Sequence, residues 1–188
     1  MIRGIDCKVY RNSAALGTGY ATPTWNLVDG VKDVDIKDSA EAYDTTTRRD
    51  LGIKTYDVTL DDVEITLMLK IPDAVLAGTT TAVATGDPDF DDWRAFNTAK
   101  NQKINIDLMF LTGTTATNGA EGLRGFFKIH DFSVSQQNSD GLFQAVTLKP
   151  STPDSTTLAT TATAVAMRHV RVAGGAPTYA NWGSDTFA

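Results

Sequence analysis

Chemistry in a protein chain starts with nucleophiles, bases, metal ligands and glycine-lined turns, and this sequence holds a few stretches of that kind. "GTGYAT", residues 17 to 22, begins like a dinucleotide-binding turn, where glycines let backbone N–H groups close on a pyrophosphate at a helix N-terminus. Its third glycine position is Thr22, and Pro23 follows where the helix would run, so a surface turn is the simpler account. "DPDFDD", residues 87 to 92, sets Asp87, Asp89 and Asp91 at alternating positions as a calcium loop does. The sixth position is Asp92 rather than glycine and the twelfth is Thr98 rather than a bidentate glutamate, so acids opening a helix explain the run better. His130 stands beside Asp131, and His169 lies between Arg168 and Arg171. General acid–base catalysis needs a nucleophile or second base in reach, and neither flank supplies one. Cys7 has Asp6 and Lys8 for neighbours. In a strand both point to the opposite face, so the thiol reads as a small buried hydrophobe. With one cysteine and two histidines in the chain, an internal disulfide is impossible and a protein-built zinc site is not expected. The expectation is no enzyme: no catalytic set, no metal site and no cofactor.

The chain has 188 residues, enough for one domain with a full core and an appendage. It is 41% hydrophobic and 21% charged, as an ordinary globular protein is, with a net charge of -6. That balance argues against a nucleic-acid grip, which needs a basic stripe to replace counterions. It does not exclude a surface past which nucleic acid slides without sticking. The start, "MIRGIDCKVYRN", lacks the apolar region and cleavage site of a signal peptide. The best apolar run, "ITLMLKI", is short and interrupted by Lys70. Synthesis in the cytoplasm without membrane insertion is expected, with an extracellular destination open by a route that needs no signal peptide.

Most of the hydrophobic periodicity is two, the period of strands. Ile5, Cys7 and Val9 alternate against Asp6, Lys8 and Tyr10. In "VKDVDIKD", Val34 and Ile36 oppose Asp33, Asp35 and Lys37. "VEITLMLKI" puts Val63, Ile65, Leu67, Leu69 and Ile71 on one face, and "KINIDLMFL" does so with Ile104, Ile106, Leu108 and Phe110. Each can bury a single face, as antiparallel sheets do. The phase slips between Leu60 and Val63, predicting a tight turn or bulge at Asp61-Asp62, and again around His130-Asp131, predicting a bulge. "FFKIHDFSVSQQ", "NSDG" and "LFQAVTLKP" spell a hairpin.

"DPDFDDWRAFNTAKNQ" is the one credible helix: Phe90, Trp93 and Phe96 recur at spacing three, with acids first and lysines last to suit the macrodipole. Residues 74 to 86 form an uncharged small-residue loop, and residues 151 to 164 a Thr-rich linker. "VAMRHVRV" fits one more strand before a Gly-rich, aromatic end. The division expected is a β domain over 1–150 and a Thr-rich linker with a C-terminal arm over 151–188. Loop and arm are expected to be mobile in a monomer and ordered in an assembly, for lack of large apolar groups to offset ordering entropy.

One segment belongs to none of these. "EAYDTTTRRDLG", residues 41 to 52, has three β-branched threonines, which disfavour helix, inside a tight alternation of acid and arginine. It reads either as a solvated hairpin tip, whose charges pair locally and contribute little, or as a contact in which Arg48 or Arg49 forks onto a partner's carboxylate.

Taken in order, these segments resemble the tail tube (major tail) proteins of long-tailed bacteriophages over roughly residues 2 to 150. The likeness rests on "WNLVDGVKDVDI" with Trp25, then "EAYDTTTRRDLG" with its Asp-x-Thr-x-Arg pattern. "YDVTLDDVEITLML", a short helix, a strand and the late "RGFFKIHDFSVSQQNSDGLFQAVTLKP" hairpin follow. Residues 74–86 and 151–188 fall outside it. The resemblance implies an antiparallel β-sandwich or barrel with a flanking short helix, no catalytic role, and hexameric rings stacked into a hollow tube through which DNA passes. It implies residence in the virion beside other tail proteins. It favours Asp44, Thr45, Thr46, Thr47, Arg48 and Arg49 as an inter-subunit contact. Within such a tube an acidic or neutral lumen is expected, with Asp33, Asp35, Glu64 and Asp107 on polar strand faces as candidates. The alternatives are the tube protein of a contractile tail or type VI-like system, or a monomeric glycan-binding or adhesin β-sandwich using Tyr179, Trp182 and Phe187.

Overall fold

A computed structural model describes residues 7–13, 23–44, 56–72, 88–137, 141–151 and 167–181. The strands are β1 (Lys8–Asn12), β2 (Trp25–Leu27), β3 (Val31–Asp44), β4 (Tyr56–Lys70), β5 (Ile106–Leu111), β6 (Glu121–Gln137), β7 (Gly141–Pro150), β8 (Met167–Ala173) and β9 (Ala176–Asn181). A single helix among the described residues, α1 (Pro88–Gln102), lies between β4 and β5. Every strand pairing is antiparallel.

The strands make one sheet, ordered β2-β1-β5-β6-β7-β4-β3, with β8 on β6 and β9 on β8. Strand β6 is its hub. Along one edge it pairs β5, from Leu111↔Gly122 to Ile106↔Phe127. Its other edge is shared: β8 occupies Glu121 to Gly125, and β7 runs from Phe127 to Gln137. Ser151 donates its N–H to Phe126 O and Met167 stands opposite Gly125, so β8 takes up the line that β7 leaves. The expected sandwich or barrel is thus a single folded antiparallel sheet, with no barrel closure among the described residues.

Two apolar clusters follow from this folding. The larger takes Val9 from β1, Val63, Ile65, Leu67 and Leu69 from β4, Ile106, Leu108 and Phe110 from β5, Phe127 from β6, and Val146 and Leu148 from β7. Phe96 and Ala99 of α1 close it, and Phe110 meets Phe127 edge-on at 5.9 Å. Side chains buried to this degree each contribute on the order of 1.5–3 kcal/mol relative to exposure. The smaller cluster, on the opposite face of β1 and β5, gathers Tyr10, Met109, Leu111, Ala120, Val170 and Val172, with Trp25 and Tyr179 against it.

That second cluster corrects two expectations. Strands β1 and β5 bury both faces, so Tyr10 is core rather than part of a polar face. The described part of the C-terminal region, Met167 to Asn181, is also sheet and core rather than an arm attached at residue 150: Met167 lies in the larger cluster and Val170 and Val172 in the smaller. Residues 74–86 and the 152–166 linker lie outside the described residues.

Helix α1 is tied down at three places. Arg11 Nε donates to Asp92 Oδ1 at 2.7 Å, Trp93 Nε1 to Gln144 Oε1 at 3.0 Å, and Lys100 Nζ to His130 O at 3.1 Å. Its end is a Schellman turn: Lys103 takes a left-handed φ of 55°, its N–H reaches Lys100 O, and Ile104 N–H reaches Ala99 O. The bulge expected at His130 is present, since Ile129 faces Leu148 while Asp131 faces Thr147. The irregularity expected at Asp61-Asp62 lies nearer the hairpin tip. Those residues pair regularly with Ala40 and Ser39, and the extra residue is Thr59, because Glu41 faces Leu60 while Ala42 faces Val58.

Candidate assembly surface

Strand β3 runs for 14 residues and pairs with β4 alone among the described residues, so none of these pairs with its other edge. Strand β4 pairs β7 only over Ile65 to Lys70, so the distal half of the β3–β4 hairpin projects beyond the sheet as a two-stranded ribbon. Asp44 and Tyr56 are its last pair.

The two faces of the β3–β4–β7–β6 wing differ. Cross-strand partners share a face, so Ile36 lies beside Ile65, and Val34 beside Leu67, on the side of the larger cluster. The core does not extend far enough to cover this margin: Val34 is half-buried and Ile36 is 41% exposed. On the opposite face Asp35 lies beside Thr66, Lys37 beside Glu64, Thr66 beside Thr147, and Thr147 beside Asp131. Lys149 reaches both Asp62, at 3.3 Å, and Glu64, at 3.6 Å. Acids and lysines interleave on this face, with Lys128 opposite Lys149, while Met68, Ala145 and the buried Phe143 form an apolar patch on it beneath Lys32. Exposed pairs of this kind contribute little to stability.

Of the sequence-predicted residues, Asp33 and Asp35 are exposed on β3, and Glu64 is half-buried on β4 beside Lys149. Asp107 departs from the expectation. The reverse face of β5 belongs to the smaller cluster, and there the Asp107 side chain is 9% exposed. Arg124 holds it with two hydrogen bonds, Nε to Oδ1 at 3.1 Å and Nη2 to Oδ2 at 2.7 Å. Asn12 Nδ2 adds a third at 2.9 Å. In the folded chain Asp107 is a buried ion-pair partner, not a free surface acid. Asp44 ends β3. Thr45, Thr46, Thr47, Arg48 and Arg49 lie outside the described residues.

The sequence reading missed the group centred on Arg124. Its guanidinium lies 4.9 Å from the Trp25 ring and 4.8 Å from the Tyr179 ring, and Trp25 Nε1 donates to Tyr179 Oη at 3.2 Å. Strands β2 and β9, at opposite ends of the path β2-β1-β5-β6-β8-β9, are thereby joined through side chains over one buried cation. Tyr179 is committed to this contact rather than to an exposed aromatic face. The signal available in the sequence was the arginine in the otherwise uncharged stretch from Gly122 to Phe127, where a buried charge requires a partner.

No group of histidine, cysteine or acidic side chains suited to a metal occurs among the described residues. No helix among them is long and apolar enough to cross a membrane. Burial raises the pKa of the Cys7 thiol above its ordinary value, against a smaller lowering by Lys8.

No protein-family model matches the sequence, and no curated protein is similar to it. Solved structures with this fold do exist. The tail of an empty GTA particle, determined by helical refinement with C6 symmetry, is similar at a TM-score of 0.51 and 14% identity, over 78% of this chain and 92% of that one. A subunit of the native gene transfer agent (GTA) virion is similar at a TM-score of 0.50 and 11% identity, over the same shares of the two chains. The SPP1 tail tube, solved by solid-state NMR and cryo-EM, is similar at a TM-score of 0.55 and 12% identity, over 79% of this chain and 75% of that one. The fold is that of tail tube proteins.

Proposed function

We propose that this chain, whose fold is that of tail tube proteins, is a structural virion protein that assembles with copies of itself into stacked rings forming a hollow phage tail tube. The observation that carries the reading is the β3 edge. A 14-residue strand whose outer edge pairs with none of the described residues, and with an apolar margin at Ile36, invites aggregation on a monomer, and serves one that pairs with a neighbour's sheet. Joining the wings of successive subunits around a ring leaves the polar face of the β3–β4–β7–β6 wing to line the bore. Hexameric rings are the form we favour, as in the C6 tail.

Passage of DNA requires a wall that does not hold phosphates. Asp33, Asp35 and Glu64, with Asp62 and Asp131, balance Lys32, Lys37, Lys70, Lys128 and Lys149 on or beside that face, and a wall without net positive charge gives a polyanion little to adhere to. The segment from Asp44 through Arg49 is the proposed clamp onto a neighbouring subunit. Function here is assembly, without catalysis, cofactor or metal. Sedimentation and negative-stain microscopy of the purified protein over a range of concentrations test the proposal. Ring-sized species and tubes are expected; a monodisperse monomer under all conditions contradicts it.

A further inference from the structure

We propose that Asn118-Gly119 is a deamidation site held in check by the β8–β9 hairpin. It is the only Asn-Gly pair in the sequence, and both residues are exposed, with Gly119 at a φ of +85°. A glycine after asparagine leaves its backbone nitrogen unhindered by any Cβ. In the reaction, the Gly119 nitrogen gives up its proton to water or hydroxide and attacks Asn118 Cγ. An N–Cγ bond forms, the Cγ–Nδ2 bond breaks, and ammonia leaves with the amide nitrogen. The cyclic imide then adds one water across either of its two C–N bonds, giving aspartate or isoaspartate. The net change is ammonia out and water in, with no oxidant or reductant.

Both reacting groups are held by the same hairpin. The Gly119 N–H donates to Val172 O at 2.9 Å, and Val172 N–H returns a bond to Ala120 O at 2.8 Å. The Gly175 N–H donates to Asn118 Oδ1 at 2.9 Å. Gly175 can do this because Gly174 and Gly175, both at positive φ, form the two-residue turn between Ala173 and Ala176. The two bonds act in opposite directions. The bond from Gly175 draws charge onto Oδ1 and primes Cγ for attack, whereas the bond to Val172 aims the nucleophile's proton away from Cγ and stabilises it. The second decides the outcome, because no attack occurs until that nitrogen is released. Restraint rather than burial protects the site, and deamidation at Asn118 reports undocking of β8–β9 by local opening. Isoaspartate inserts a backbone methylene before Gly119 and breaks its register with Val172, so one reaction makes redocking harder.

Intact protein is incubated at mildly alkaline pH, folded and in urea, and the Asn118 peptide is followed by mass spectrometry with isoaspartate detection. The folded chain is expected to react at least about tenfold more slowly than the unfolded one, the ratio expected for an opening that costs a little over 1 kcal/mol. Tyr179→Ala, which removes the contacts to Trp25 and Arg124 and leaves the Asn118 turn untouched, is expected to raise the folded rate in step with amide exchange at Val172. Asn118→Gln removes the product. Equal rates in folded and unfolded chains overturn the proposal, as does a variant whose Val172 amide exchange accelerates while its Asn118 rate does not.

Discussion

Arg124 is the residue on which the folded chain depends most sharply for its size. Its fork onto Asp107 and its place between two rings remove it almost completely from water. Truncating it leaves the Asp107 carboxylate buried, with the Asn12 amide still donating to it. Arg124→Ala is therefore expected to cost about 3–5 kcal/mol in urea denaturation, the range for a buried pair losing one partner. Adding Asp107→Ala should recover part of that loss, since the two changes share one interaction. Nothing in the local sequence pairs these residues, which stand 17 apart and meet only because β5 and β6 lie side by side. Alternation does put Asp107 on the face opposite Ile106 and Leu108, but that face carries Met109 and Leu111 and is covered by Val170, Val172 and Trp25. Cys7 gives a second test at this scale. Its raised pKa means that at mildly alkaline pH the unfolded thiol has lost its proton while the folded one retains it. The unfolded state then binds fewer protons, so stability is expected to fall as pH rises past the unfolded thiol's value and to level off above the folded one. A maleimide should likewise label the folded chain more slowly than the unfolded one.

Elements were legible where one side faces water and the other the core. Strand β4 and the β6–β7 hairpin, with its bulge at His130, follow from period-two alternation and its slip. Strands β1 and β5 did not show their second buried face, because Lys8 and Asp107 gave them the look of one-sided alternation while Tyr10, Met109 and Leu111 are buried on the other side. Helix α1 was marked by its aromatic spacing and terminal charges, but its anchoring was not: Asp92 sits in a run of acids that suits a helix N-terminus and is instead matched to Arg11, 81 residues away. Arg11→Ala takes the guanidinium away from that buried carboxylate and is expected to destabilise by about 3 kcal/mol, with Asp92→Ala in the same chain restoring part of it. Strand β6 has a stricter requirement at Gly122, where an added Cβ would fall 1.7 Å from the Phe110 carbonyl oxygen of the neighbouring strand. A backbone atom cannot step aside as a side-chain tip can. Gly122→Ala is expected to cost more than about 3 kcal/mol and to lower the yield of folded protein, measured by thermal melting of the soluble fraction.

For the whole molecule, assembly should be separable from folding. Ile36 is exposed on an edge strand, so Ile36→Lys is expected to change monomer stability by no more than about 0.5 kcal/mol while placing a charge on the margin that a neighbour would cover. Arg48→Ala with Arg49→Ala is expected to leave circular dichroism and melting near normal and to shorten polymers or raise the concentration they need. A desolvated pair that loses a partner costs a few kcal/mol, against roughly 0–1 for an exposed one. Tubes of ordinary length from the double-arginine variant would return that segment to a solvated hairpin tip. The charged, β-prone stretch from Asp44 to Arg49 stands out in the sequence because it shows no core-facing alternation, and its place in an assembly rests on that double-arginine test. The edge position of β3 was not legible, since which strand ends a sheet is settled by long-range pairing. The most direct measurement is a cryo-EM reconstruction of the assembled wild-type protein. The account predicts a hollow tube of stacked rings, with β3 hydrogen-bonded to an adjacent subunit and Asp35, Lys37, Glu64 and Lys149 facing an acidic or neutral bore. A strongly basic bore, or rings in which the β3 edge faces solvent, would contradict it.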